Sequence, residues 1–437
     1  MNVMAKTSST LSKIQSTTMR TAEHVSQGHP DKAADQIADS ILDAILDAAR
    51  EIGASDANDP NHPTRQRAAI EMLVKDYLVL LSGEVRMGYG VASRVQVADI
   101  VRKKWADIGY PDADKITVIN HIQVQSPELA ASSDTDGAGD QGIMVGFATN
   151  ETKSGLPREY EAARDLCLRI QELGRSGITP WVRADTKTQV TLAASGDIDR
   201  VVIAVQHTAE VDGERETQAI QRRIKQALTE HAIVPLFGHL PSDRVTVNGT
   251  GSFVIGGPIG DAGVVGRKIV VDAYGPHVPV GGGAYSGKDP TKVDRSAAYM
   301  ARYIANTAAR MRIRGAKSVT VHIAYCIGLQ QPEMVTAVTD DGVDISDWVR
   351  SRFPDLSPRA VAETLGLWRM APDSSWRFQD TAAFGHYGRD MFPWEKIPPR
   401  LRLMKLAQSV RCARVILTRR EYRRSGNPSG VAVRQNP

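Results

Sequence analysis

Three amphipathic segments, each opened by a proline, punctuate this chain at intervals of 127 and 133 residues. The first runs from Pro30 through Ile37, Ile41, Leu42, Ile45 and Leu46. The second runs from Pro157 through Tyr160, Ala163, Leu166, Cys167, Ile170 and Leu173, and the third from Pro290 through Val293, Ala297, Met300, Ile304 and Met311. Apolar residues at this spacing form a stripe along a helix that must be buried against something. Proline suits a first helical turn because the N–H it lacks would have no partner there. The first and third segments also match locally, His29-Pro30-Asp31-Lys32 against Asp289-Pro290-Thr291-Lys292. The pattern predicts three related units.

Runs of strand character lie between the helices. Residues 68–81 are apolar around Glu71 and Lys75, and residues 190–194 and 201–206 flank a Gly196-Asp197 turn. Residues 268–274 and 318–327 are rich in β-branched side chains, with Val319, Val321, Ile323 and Tyr325 alternating onto one face. Helices and strands so mixed predict an α+β fold. Its three topologically similar domains would each have a mixed or antiparallel sheet covered by helices. The length of 437 residues agrees with three domains. The expected limits are 21–130, 131–258 and 259–405, with a disordered extension over 1–20 and a basic tail over 406–437.

Composition narrows the function classes. The net charge of +4 gives no reason to expect nucleic acid as a partner. No apolar run reaches the ~18 residues of a membrane helix. Cys167, Cys326 and Cys412 are far apart and form no CxxC pair, so a reducing, cytoplasmic setting is expected rather than a disulfide framework or a zinc site. The first 20 residues carry no acid but read as an extension, since arginine is nearly absent and no amphipathic face appears. The stretch from Arg411 to Pro437 holds seven arginines and one glutamate and reads as a solvated tail.

The chemistry concentrates in short basic-acidic clusters. These are Gly28-His29-Pro30-Asp31-Lys32, Asp185-Thr186-Lys187, residues 256–261 running on to Gly266-Arg267-Lys268, and Gly287-Lys288-Asp289-Pro290-Thr291-Lys292-Val293-Asp294. A helix N-terminus attracts phosphate, and a carboxylate beside a phosphate needs a cation between them. Asp31 therefore reads as a Mg²⁺ ligand rather than a base. Asp289 reads as a cap and Pro290 as a helix start, with Lys288 and Lys292 projecting toward one ligand and Asp294 one step beyond. Gly281–Gly287 brings backbone close to something bulky or flat. The run Gly282–Lys288 nearly fits a P-loop, but Asp289 stands where a Ser or Thr would hold the metal, so a P-loop is rejected. Glu71, in an apolar strand, wants a cationic partner.

With these residues in hand, the chain resembles the S-adenosylmethionine synthetases. The stretches that carry the resemblance are GHPDKAADQIADSILDAIL, GAGDQGIMVGFATNET, DTKTQV, FVIGGPIGDAG with GRKIVVDAYG, GGGAYSGKDPTKVDRSAAYMARY and FGHYGRDMFPWEK, in the family's order. The resemblance implies three α+β domains around a pseudo-threefold axis, interleaved at their boundaries. It implies a reaction in which the methionine sulfur attacks ribose C5′ of ATP and expels triphosphate, which is then cleaved to phosphate and diphosphate. It implies two Mg²⁺ per site, held by Asp31 and Asp294, and K⁺ held by Glu71. His29, Lys187, Arg267, Lys268, Lys288 and Lys292 would surround the phosphates. Asp185, Phe253, Asp261 and Ala284 would complete the ATP site, and Glu84, Gln125, Asp140, Asp261 and Lys292 the methionine site. Homodimers, pairing into homotetramers, would be expected. The chain departs from the family pattern at Ser252, where Arg is usual, at Gln27, where Glu is common, and in a short gate over Glu128–Asp136.

Overall fold

The computed structural model describes residues 18–125, 137–368 and 375–396. The expected extension falls almost wholly outside these residues, as do the gate and the basic tail. Three sheets carry the fold, each packed against one long helix. The first sheet has the order β1 (Arg20–Val25), β6 (Val182–Leu192), β7 (Ile198–His207), β8 (Val245–Val247). The second has the order β11 (Met334–Thr339), β10 (Ser318–Tyr325), β5 (Gly142–Thr149). The third has the order β4 (Thr117–Val124), β3 (Leu78–Arg86), β2 (Arg67–Lys75), β9 (Gly263–Val264). Antiparallel pairing dominates, with parallel pairs at β3/β4 and β7/β8.

The covering helices are those that the proline-led stripes predict. Helix α1 (Pro30–Ile52) lies on β2 and β9, α2 (Arg158–Arg175) on β1 and β6, and α3 (Val293–Met311) on β5 and β10. Ile37, Ile41, Leu42 and Ile45 of α1 are all buried. Each such side chain contributes about 1.5–3 kcal/mol on burial. Contact between α3 and its sheet is so close at Gly146 that a Cβ there would lie 2.1 Å from the backbone of Ala301. A Gly146→Ala change would push the helix off its sheet.

Strand pairing crosses the linear limits given above. Each sheet takes one strand from a remote part of the chain: β1 joins β6–β8, β5 joins β10 and β11, and β9 joins β2–β4. The arrangement repeats three times and threads the N-terminal, central and C-terminal regions through one another.

Three local expectations are corrected. Residues 68–81 are a hairpin, β2 and β3, turning at Asp76-Tyr77 with Lys75 paired to Leu78. Asp76 adopts the left-handed φ of 52° that an aspartate tolerates, so no glycine marks the turn. Residues 268–274 are not a strand: Ile269–Asp272 is one helical turn. Its β-branched preference is overridden because Val271 must present its carbonyl to the Tyr160 hydroxyl and Asp272 must meet Lys32. The third helix begins at Val293, not at Pro290. Asp289 spends its carboxylate on a tight turn, accepting from the Thr291 N–H at 2.8 Å, and on the Ala68 N–H at 2.8 Å.

Candidate active site

The site grows from the first turn of α1. His29 is the N-cap, and its Nδ1 accepts the Asp31 N–H at 3.2 Å. A neutral imidazole that accepts at Nδ1 carries its proton on Nε2. Burial and the Lys268 ammonium push the His29 pKa down to about 4, so the neutral form persists at pH 7. The Asp31 carboxylate lies 3.9 Å from His29 Nδ1. Burial alone would raise its pKa, but Lys268 Nζ at 2.5 Å and the Val264 N–H at 2.9 Å outweigh it and hold the carboxyl below its ordinary range. Arg267 Nε stands 3.7 Å from the same carboxylate. Helix α1 and a segment more than two hundred residues away are thus tied at one charged point.

Asp31 is the first rung of a ladder. Aspartates recur every fourth residue, at 31, 35, 39 and 43, and so share one side of the helix at about 6 Å intervals. Each accepts backbone N–H groups from an incoming loop: Asp31 from Val264, Asp35 from Gly266 at 2.9 Å, Asp39 from Gly287 at 2.8 Å, and Asp43 from Phe378 and Gln379 at 3.0 Å. The loops carrying Arg267-Lys268 and Lys288 are therefore hung on the same helix, and they touch each other where Gly266 meets Ala284. The repeat DxxxD was visible in the sequence, and its meaning was missed. An acidic stripe beside an apolar one signals buried carboxylates that collect loops.

Lys288 Nζ pairs with Asp294 Oδ2 at 2.6 Å, the same kind of contact as Lys268 with Asp31. Lys292 lies 3.5 Å from Asp289. Lys187 is half-exposed and pairs with Glu23 at 2.7 Å, and its charge is felt at His29. Asp185 accepts the Gly257 N–H at 2.8 Å, and burial lifts its pKa to about 6. Asp261 is exposed, and its charge reaches Asp185. Phe253 is half-buried, its N–H bonded to His207 Nε2 at 3.0 Å in the loop that leads to Gly257. The glycines 281–287 approach the chain itself. A Cβ on Gly281 would strike the Ile143 carbonyl, on Gly283 the Asp294 carboxyl, and on Gly287 the Ile70 carbonyl.

Glu71 and Glu84 lie on the face of β2 and β3 turned away from α1, partly open to solvent, and Glu71 is within electrostatic reach of Glu84 and of Lys288. Burial raises the Glu71 pKa, which Lys288 partly offsets. Gln125 follows β4, beside residues 126–136 outside the described set, and its Oε1 is buried without a hydrogen-bond partner among the described residues. Asp140 is exposed, two residues before Gly142, whose position faces Asp294. Lys32, adjacent to Asp31, turns inward: it is 1% exposed and pairs with Asp35 at 2.7 Å and with Asp272. A pocket of about 340 Å³ beside Pro290 and Thr291, lined also by His62 and Trp368, holds none of the expected phosphate lysines.

Among the described residues, no three His, Cys, Asp or Glu side chains converge as a protein-only metal cage. Mg²⁺ needs none, since it binds through one or two carboxylates with water and substrate phosphate. Asp31 and Asp294, each now facing a lysine ammonium, have the donor chemistry for that.

Comparison with known proteins gives the same direction. Models of the N-terminal, central and C-terminal domains of S-adenosylmethionine synthetase match residues 17–127, 135–253 and 255–396. An S-adenosylmethionine synthase of Thermosynechococcus vestitus is 40% identical over 414 residues, covering 86% of this chain and 94% of the relative. Those of Parasynechococcus marenigrum and Nostoc punctiforme are each 38% identical, over 86% of this chain and 94% and 93% of theirs. The chain belongs to the S-adenosylmethionine synthetase family.

Proposed function

We propose that this protein forms S-adenosylmethionine from ATP and L-methionine, with water cleaving the expelled triphosphate to phosphate and diphosphate. The observation that carries the reading is two lysine–aspartate contacts, Lys268 with Asp31 beside a neutral His29 and Lys288 with Asp294, whose lysine-bearing loops are both tied to α1. The reaction needs no protein nucleophile. The methionine sulfur attacks C5′, and the enzyme must align the two and stabilise charge on the departing triphosphate. In this reading Lys187, Arg267, Lys268, Lys288 and Lys292 bind the phosphates. His29 donates through Nε2 to oxygen at the breaking bond. Asp185, Phe253, Asp261 and Ala284 receive the nucleoside. Glu84, Gln125 and Asp140, with Asp261 and Lys292, hold methionine.

When bound, two Mg²⁺ at Asp31 and Asp294 would neutralise phosphate charge, and K⁺ at Glu71 would offset the like charge of Glu84 on the same sheet face. With nucleotide bound, Lys268 and Lys288 would turn from aspartate to phosphate oxygens, leaving the Asp31 and Asp294 carboxylates available to hold Mg²⁺.

A partner copy belongs to the same reading. The outer face of β2, β3 and β4 exposes Leu73, Leu78, Leu80 and Ile119 beside Glu71 and Glu84. An apolar sheet face of this kind is covered in a stable protein. A homodimer joined there, and tetramers built from it, would place the methionine residues at the junction. A cytoplasmic location fits the free, buried Cys167, and no described helix is long and apolar enough to cross a membrane. The deciding experiment incubates purified protein with ATP, methionine, Mg²⁺ and K⁺ and looks for the sulfonium product by mass. Phosphate release that is equal with and without methionine, and no sulfonium product, would overturn the assignment.

A further inference from the structure

Lys288 is held by its backbone from two sides. On one, β2 flanks the loop: the Ile70 N–H donates to the Gly287 carbonyl at 3.0 Å, and the Asp289 N–H to the Ala68 carbonyl at 3.0 Å. On the other, Asp39 of α1 accepts the Gly287 N–H at 2.8 Å. Arg295 then binds the same carboxylate through two parallel contacts of 2.6 and 2.8 Å and donates to the Lys288 carbonyl at 3.1 Å. The carboxylate therefore holds the peptide before Gly287 and the guanidinium the peptide after Lys288, so the pair brackets the Gly287-Lys288 step. Both are 0% exposed. Arg295 is itself fixed, 4.3 Å from the Phe378 ring and 3.0 Å from the Thr381 hydroxyl. It also immediately follows Asp294 in the first turn of α3.

We propose that Asp39 and Arg295 are positioning residues that aim Lys288 and Asp294 at the phosphate chain. This rests on the function proposed above. A buried ion pair adds little net stability over an apolar pair of equal volume, because desolvating both charges costs about what their attraction returns. A bidentate fork is, however, a stiff directional joint, which suits fixing a lysine whose placement sets a rate. Neither residue touches substrate in this account; each acts through the loop it holds.

The test compares two buried carboxylate–guanidinium pairs. Asp39→Asn keeps an acceptor for the Gly287 N–H but removes the charge that Arg295 needs. Arg295→Lys keeps a buried positive charge but loses the fork. Glu395→Gln damages an equally buried fork, to Arg302, that does not hold the Lys288 loop. The first two variants are expected to lose about 100-fold in kcat, the scale of an ångström-level misplacement, while Glu395→Gln keeps near-wild-type turnover at a matched loss of thermal stability. Amide exchange in the peptide spanning residues 281–292 should quicken about tenfold in the first two alone. Turnover that follows stability equally in all three, or exchange unchanged in Asp39→Asn and Arg295→Lys, would overturn the proposal. If Asp39→Asn does not fold, Arg295→Lys carries the comparison. If the wild-type chain forms no sulfonium product, the proposed reaction fails, and the exchange arm alone decides whether the clamp holds this loop.

Discussion

At the start of α1, His29 caps the helix, Pro30 occupies its first turn, and Asp31 faces Lys268. Before α3, the similar string Asp289-Pro290-Thr291-Lys292 makes a tight turn, and the helix begins only at Val293. In the first region the lysine of the string, Lys32, is buried between Asp35 and Asp272. In the second it is Lys292, which stays partly exposed near Asp289. The residues that place charge at the candidate site sit at unlike positions in the two strings: Asp31 inside the first, Lys288 and Asp294 on either side of the second. Two shared letters in four, Pro and Lys, fit a turn followed by a helix but do not fix which side chain looks inward. That choice falls to what packs alongside, Asp272 and His386 for the first string and the edge of β2 for the second.

The contrast can be broken most severely at Lys32. Lys32→Met should cost about 3–5 kcal/mol, because it leaves Asp35 and Asp272 buried without their cation. Urea unfolding measures it, and a loss below about 1 kcal/mol would show that the first string's lysine is not a core group. Next come the site lysines. Lys187→Met, Lys268→Met and Lys288→Met should each lower turnover by about 10²–10³ with unchanged circular dichroism, the loss expected for one preorganised charge. Turnover within tenfold of wild type in all three would contradict the roles given to them.

Smaller effects sharpen the comparison. Asp289→Ala should cost about 1–3 kcal/mol, since Ala68 and Thr291 lose their buried acceptor. Differential scanning calorimetry of that variant beside Lys292→Met, whose partly exposed pair is worth at most about 1 kcal/mol, separates turn from charge. The mildest test changes no residue. Imidazole NMR should find His29 neutral down to about pH 4, against an ordinary 6.5. The folded value lies below the unfolded one, so this group contributes stability that is present above pH 6.5 and lost as the pH falls through about 4. Inorganic triphosphate should move the titration upward, because its negative charge opposes Lys268 and Lys187. A titration that stays put would separate His29 from the phosphate site.

Much of this was legible in the letters. The stripes of α1, α2 and α3 and the alternation of β10 are periodic signals, and each found its sheet because an apolar face has few places to go. Asp31, Lys268 and Lys288 were legible as chemistry, since lysines and lone carboxylates in glycine-rich turns are costly unless they meet opposite charge. The Asp76-Tyr77 turn was not, because a left-handed aspartate looks like any other. Nor was the helical turn at residues 269–272, where contacts from Tyr160 and Lys32 overrule local preference.

The sequence by itself determined the α+β class, three covered sheets, and an inventory of cations and carboxylates suited to a nucleotide. Only the tertiary structure decided which strands cross between regions, that aspartates 31, 35, 39 and 43 would collect three segments, and that Lys32 would turn inward while Lys268 turned out. The reason is physical. Periodicity and charge act within a few residues, whereas a buried carboxylate takes whichever N–H or ammonium the chain's long-range path delivers to it.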